Sequence, residues 1–190
     1  MDKIKFKDIL NPETYKKSRS SMYREIQLQK KFRTLQIGPF MRVLFENRDT
    51  VIWQIQEVLR AEDGWPNEVQ HEIESYVGLV PEPGMLTATV MLEICDSDER
   101  KQKLVDLKGI CSHISLEFCG SIVNVQPIDH QVSDHDRAFS VNFLKFCFDS
   151  EQIAAAKGCD DAFFSVNHKY YSHRQQIESD LWKMLVKEMN

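Results

Sequence analysis

"FMRVLFENRDTVIWQIQEVLR", residues 40–60, contains a change of period that decides how the chain is read. Its first seven residues alternate. Met41, Val43 and Phe45 fall on one side and Phe40, Arg42, Leu44 and Glu46 on the other, the pattern of a half-buried strand. From about residue 50 to 62 the apolar residues recur at helical spacing, with Val51, Ile52, Ile55, Val58 and Leu59 forming one face. Asn47 or Asp49 caps the helix between the two, and Asp63-Gly64 ends it. A strand leading directly into an amphipathic helix predicts a sheet with helices packed on it.

Towards the N-terminus, Gly38-Pro39 punctuates the chain, and Asn11-Pro12-Glu13 is a helix start with Asn as N-cap and Pro at the first helical position. That helix is expected to run to about Leu35, with Tyr15, Met22, Ile26 and Leu28 available for packing. Towards the C-terminus, Pro66 begins a helix through Tyr76, which "VPEPG" breaks. Beyond residue 84 strands alternate with short helices: "MLTATVMLEIC" as strand, then a helix capped by Asp96. A hairpin around Gly120-Ser121 follows, then the strand "AFSVNFLKFCF", a helix capped by Asp149 with Gln152 three residues on, and the strand "AFFSVNH". A last helix is expected from about His173 to Glu188. The similar stretches "EICDSDE" and "KFCFDSEQ" read as two ordinary solutions to one capping problem. The expected architecture is α+β, one domain over residues 1–190 with a mixed, mostly antiparallel sheet and helices packed on it. Residues 1–37 form a basic helical N-terminal segment and residues 38–190 the α+β body.

Hydrophobic content of 42% with 28% charged residues suits an ordered globular chain of 190 residues. No apolar run approaches the ~20 residues that cross a bilayer. "MDKIKFKDIL" lacks the continuous apolar core of a signal peptide, so the expected location is the cytoplasm. Five cysteines, an odd number without CxxC spacing, are then expected as reduced thiols, with Cys95, Cys119 and Cys147 in core positions at the ends of apolar runs. No spacing among them converges on an Fe–S cluster.

Charge is divided along the chain: 12 Lys and Arg against 5 Asp and Glu in residues 1–48, and 12 against 24 in the rest. The basic stretch, residues 15–33, is expected to rest against the acidic body of the same protein or of a second subunit, which makes a homodimer one expected assembly. Phosphate binding by the same charges lacks any accompanying nucleic-acid motif.

On the helix after Asn47, a rotation of 100° per residue brings Thr50, Gln54 and Glu57 into one sector, flanked by Trp53 and Arg60. Amides and a carboxylate beside an indole suit a polar pocket, whereas a solvated face would carry only a Glu57–Arg60 ion pair. His168, at the end of a strand, faces Glu57 if the two elements are neighbours. Glu68-x-x-His71 is half of a di-iron motif without its other ligands. "DHQVSDHD", residues 129–136, is a denser His/Asp cluster of a composition that solvated loops share. No nucleophile elbow, Walker loop, GxGxxG or HExxH is present.

The segment Gly38, Pro39, Phe45, Glu46, Asn47, Arg48, Thr50, Gln54, Glu57, Leu59 and Arg60 closely resembles a bacterial family catalogued as domain of unknown function 3501. Looser matches continue at Asp8, Ile9 and Tyr15, at Leu79 to Pro81, at Phe143, Leu144 and Phe146, and in a His–Tyr pair near His168 and Tyr170 or Tyr171. Val58 replaces the family's usual Met, and Phe32-Arg33 its Arg pair, which weakens an anion site there. The resemblance implies no reaction and no cofactor. It implies a setting, because the family's genes tend to lie near those of rubrerythrin-like di-iron proteins and a cysteine-rich Fe–S oxidoreductase.

The expected function is that of an accessory protein working with such redox partners through a polar site of Glu46, Arg48, Thr50, Gln54, Glu57, Arg60 and His168. Arg48 and Arg60 would receive an anionic group, Glu46 and Glu57 orient them, and Gln54 adds specificity. Two alternatives stand beside it: an enzyme with Glu57 and His168 as acid and base, which requires a buried Glu57 with its pKa raised by desolvation or a His168 poised near neutrality, and a purely structural polar network.

Overall fold

A computed structural model describes residues 3–128 and 136–189. Eight strands form its sheet: β1 (Thr34–Ile37), β2 (Met41–Phe45), β3 (Met85–Leu92), β4 (Ile114–Phe118), β5 (Ser121–Pro127), β6 (Val141–Cys147), β7 (Ala162–His168) and β8 (Tyr171–Ile177). They lie in the order β1-β2-β3-β6-β5-β4-β7-β8, and every described pairing is antiparallel. The sheet curls into a nearly closed barrel. β5 turns the corner, pairing through Ser121–Asn124 with β4 and through Val125–Pro127 with β6. At the seam between the outermost strands, the Tyr171 hydroxyl donates to the Ile37 carbonyl and accepts the Met41 N–H at 3.2 Å.

Alternation along the strands sends one set of side chains inward. Val43, Phe45, Ala88, Val90, Leu144, Phe146, Leu116 and Phe164 are buried in one apolar core. Into that core α6 (Ser179–Glu188) places Leu181, Trp182 and Leu185, with the Trp182 ring centroid 5.1 Å from that of Phe118 and the two rings tilted at 40°. The opposite face of β2, β3 and β6 is covered by helices. Here α2 (Arg48–Ala61) and α3 (Val69–Tyr76) bury a second cluster that includes Val51, Ile55, Leu59, Val69 and Ile73. Outside α2 lies α1 (Pro12–Phe32), joined to it through a third cluster of Tyr15, Ile26 and Trp53. The helices α4 (Ser97–Asp106) and α5 (Ser150–Lys157) connect strands. Each starts on the expected cap: Asp96 accepts the N–H groups of Asp98 and Glu99, and Asp149 and Gln152 form a reciprocal capping box.

Several boundaries differ from expectation, each for a physical reason. The first helix stops at Phe32, and Thr34–Ile37 belongs to the sheet instead of the basic helical segment. What stops it is Arg33. Its side chain leaves the helix to bond the Phe45 carbonyl at 2.7 Å, while its main-chain carbonyl accepts the Phe45 N–H at 3.1 Å. Tyr171–Ile177 is a strand, so the last helix begins at Ser179 and not near His173. α3 begins at Val69 and not at Pro66.

The cysteines also depart from expectation. Cys119 and Cys159, 40 residues apart, are joined in a disulfide, because the β4–β5 turn and the end of α5 bring their Cα atoms to 5.9 Å. Cys95 and Cys147 are exposed and not core thiols, while burial pushes the Cys111 thiol up to about 11.

Candidate functional site

Where β2 passes into α2, polar residues point away from the barrel core. Asn47 is the N-cap: its side chain accepts the Thr50 N–H at 2.9 Å, and its own N–H donates to the Thr50 hydroxyl at 2.9 Å. Glu46, one residue earlier, is only 8% exposed. One oxygen of its carboxylate bonds the Thr50 hydroxyl and the other accepts from the Thr89 hydroxyl of β3 at 2.6 Å. Thr50 is therefore buried by its partners, not displayed.

Two turns along α2, Glu57 serves a different neighbour. The Tyr15 hydroxyl donates to it at 2.7 Å, the Arg19 guanidinium grips both of its oxygens at 2.8 Å, and Arg60 approaches at 3.1 Å. Hydrogen bonds from Arg19, then from Tyr15 and Arg60, hold the Glu57 carboxyl at about 2 against the opposing effect of burial. Burial and the hydrogen bond to Glu57 push the Tyr15 phenol well above its usual range. Trp53 lies between Tyr15 and Tyr23, with ring centroids 5.9 and 6.0 Å away. Sequence reasoning missed Tyr15 and Arg19 as partners of Glu57. They stand 42 and 38 residues before it, and no local spacing connects them.

Glu57 thus contributes to stability with a defined pH dependence. Its carboxyl is depressed from an ordinary 4.5 to about 2 in the folded chain, so the contribution is complete above about 4.5 and is lost as pH falls through about 2. The side chain is 22% exposed, and after solvent screening the effect is on the order of 2 kcal/mol. Urea unfolding between pH 5 and 2 is expected to show a steeper loss for the wild type than for Glu57→Gln, with the two curves converging at the acid end.

Beside this cluster, α1, α2 and the segment before α3 enclose a pocket of about 490 Å³. Leu10, Leu59 and Trp65 wall it, Lys16, Arg19 and Arg60 bring positive charge to it, and Asp63 sets one carboxylate against these three cations. Gln56 is 3% exposed and lines the near side, its amide exchanging hydrogen bonds of 2.9 and 3.0 Å with the Leu10 main chain. On the opposite side of α2 a second cleft of about 440 Å³ has Glu46 and Thr89 at its floor and Gln54 at its edge.

The proposed sector is therefore split. Glu57 and Arg60 belong to the α1 side, Glu46, Thr50 and Gln54 to the side facing β3. Arg48 joins neither; it pairs with Asp8 at 2.7 Å and fastens the N-terminal segment. His168 does not meet α2. Its ring nitrogens contact the Lys108 carbonyl at 3.2 Å and the Tyr170 N–H at 3.3 Å, and its ring lies 5.1 Å from that of His113. Burial, then the neighbouring His113, lowers its pKa. Arg19, Tyr15 and Arg60 therefore hold Glu57 as a paired carboxylate, while His168 makes its contacts at Lys108, Tyr170 and His113.

Among the described residues no group of three or more His, Cys, Asp or Glu is placed to hold a metal ion. Residues 129–135 of the His/Asp cluster lie outside the described residues. No described helix is long and apolar enough to cross a membrane.

A family model described as "Protein of unknown function (DUF3501)" matches residues 3–189. No curated protein matches the chain. Among solved structures, a protein of unknown function from Burkholderia pseudomallei K96243 is similar at a TM-score of 0.92, with 25% identity over 100% of both chains.

Proposed function

Since the chain belongs to the DUF3501 family of proteins of unknown function, we propose a binding role in which the α1–α2 pocket takes a small anionic ligand with an apolar body. The observation that carries this is the placement of two guanidinium groups, Arg19 and Arg60, both oriented by Glu57, at a cavity of about 490 Å³ with Trp65 in its wall. Fixed planar cations beside an indole and aliphatic walls provide orientation and contact area together. The pairing of Glu57 is what makes the arrangement usable. A carboxylate already saturated by Tyr15 and Arg19 preorganises the cations and does not itself receive the ligand. We take the partner class from what the family resemblance implies: rubrerythrin-like or Fe–S oxidoreductase proteins, to which an accessory protein of this kind would present or relay its ligand.

Benzoate and phenyl phosphate are suitable probes, read by the tryptophan fluorescence to which Trp65 contributes. Both are expected to bind the wild type and to bind a Lys16→Ala, Arg60→Ala variant about tenfold more weakly or worse. That variant removes only exposed or half-exposed charge, so its melting temperature is expected to stay within a few degrees. Equal binding by both proteins removes the pocket from consideration. Copurification from the native host with metal analysis tests the partner class, and a chain recovered alone counts against it.

A further inference from the structure

The cleft above Glu46 is chemically opposite to the pocket beside Trp65 and lies across α2 from it. At its floor is a carboxylate only 8% exposed, with both oxygens bonded to neutral hydroxyls, those of Thr50 and Thr89. Among the described residues no Lys, Arg or His forms an ion pair with it. Buried carboxylates are ordinarily matched by a cation, since removing the charge from water is costly and neutral hydrogen bonds offset only part of that cost. Above the floor the cleft, about 440 Å³, has apolar walls that include Val51, Leu79, Met91 and Phe143. Gln54 and Lys30 stand among its polar lining.

From this geometry we infer that the Glu46 cleft binds a primary ammonium group carried on an apolar chain. The ammonium supplies the direct ion pair that neither Lys30, in the same lining, nor Arg33, which bonds the Glu46 main-chain carbonyl at 3.0 Å, makes with the carboxylate, donating to the oxygens that the two threonines leave half-satisfied, since a carboxylate has about four lone-pair sites. The chain then lies along Met91 and Phe143. Lys30 adds selectivity: its positive charge in the same cleft repels a second ammonium, so monoamines are preferred to diamines of equal length. This site stands independently of the anion pocket, sharing no lining residue with it.

Hexylamine, 1,6-diaminohexane and the neutral 1-hexanol, titrated into the full chain by calorimetry at neutral pH, separate the possibilities. Hexylamine is expected to bind, the diamine several-fold more weakly, and hexanol at least tenfold more weakly than hexylamine. Glu46→Gln keeps a hydrogen-bonding group between Thr50 and Thr89 and is expected to weaken hexylamine about tenfold or more. Should that variant fail to fold, Gln54→Trp, at an exposed position on the cleft edge, is expected to block the site while leaving the fold intact. Lys30→Met is expected to raise diamine affinity towards that of the monoamine. Hexanol binding as tightly as hexylamine, or an affinity that Glu46→Gln and Gln54→Trp both leave unchanged, overturns the inference. So does a large loss of melting temperature in Lys30→Met, which would make Lys30 the counter-charge itself.

Discussion

Arg33→Ala is expected to destabilise the chain by about 3–5 kcal/mol, the range found when one member of a buried ion pair is removed. Arg33 is 2% exposed and spends all of its donors locally. Nε bonds the Phe45 carbonyl at 2.7 Å, Nη2 the Glu46 carbonyl at 3.0 Å, and the fork grips Glu188 at 2.8 and 2.7 Å. One side chain thereby ties the end of α1, the β2–α2 junction and the last turn of α6. Truncation leaves two carbonyls and a carboxylate without donors in a place water reaches poorly. Denaturant unfolding measures the loss. A paired replacement, Arg33→Met with Glu188→Leu, is expected to recover much of it, because an apolar pair of similar volume does not leave a charge stranded. If the pair is no better than Arg33→Ala, the two carbonyl bonds and not the ion pair dominate.

The same residue shows where the sequence was legible and where it was not. Local rules worked where the information was local. The Asn47 cap, the Asp149–Gln152 box and the hairpin at Gly120 all appear where short-range patterns placed them. At Gly120 the turn takes positive φ at two successive residues, 43° at Cys119 and 79° at Gly120, as a tight hairpin requires. The boundary after Phe32 was hidden because it is decided by bonds from Arg33 to residues 12 and 155 positions away. "YSHRQQI" reads as helix or loop because four of its seven residues face solvent. It becomes a strand only because β7 offers it a partner and Tyr171 a seam to close.

The candidate site was legible in its residue types but not in its grouping. Thr50, Gln54 and Glu57 do share a sector of α2, yet that sector spans two turns and meets β3 at one end and α1 at the other. Many of the matched positions turn out to serve one another: Asp8 holds Arg48, Tyr15 holds Glu57, and Glu46 holds Thr50. Arg19, outside the matched positions, completes the Glu57 cluster. Its role came from the helix it shares with Tyr15, which no pattern within α2 announces.

Gly38→Ala is expected to cost about 2–4 kcal/mol, and the reason lies at the barrel seam. Gly38 has φ of +59°, where a residue with a Cβ is strained by about 1–2 kcal/mol. A Cβ added there would also stand 2.7 Å from the Tyr171 hydroxyl and 2.7 Å from the His173 ring. His173 is half-buried and can swing aside. Tyr171 cannot, because it is 4% exposed and its hydroxyl holds both the Ile37 carbonyl and the Met41 N–H. The added methyl group therefore breaks the bonds that close β8 onto β1, or pushes the β1–β2 turn outward. Tyr171→Phe alone is expected to cost about 1–3 kcal/mol for the loss of the hydroxyl's two buried bonds to the Ile37 carbonyl and the Met41 N–H. Combined with Gly38→Ala it should cost clearly less than the two losses added together, since removing the hydroxyl also removes much of the clash. Strict additivity in denaturant unfolding would mean that the strain resides in the backbone angle alone, and that the requirement for glycine beside Pro39 has nothing to do with the closing of the barrel.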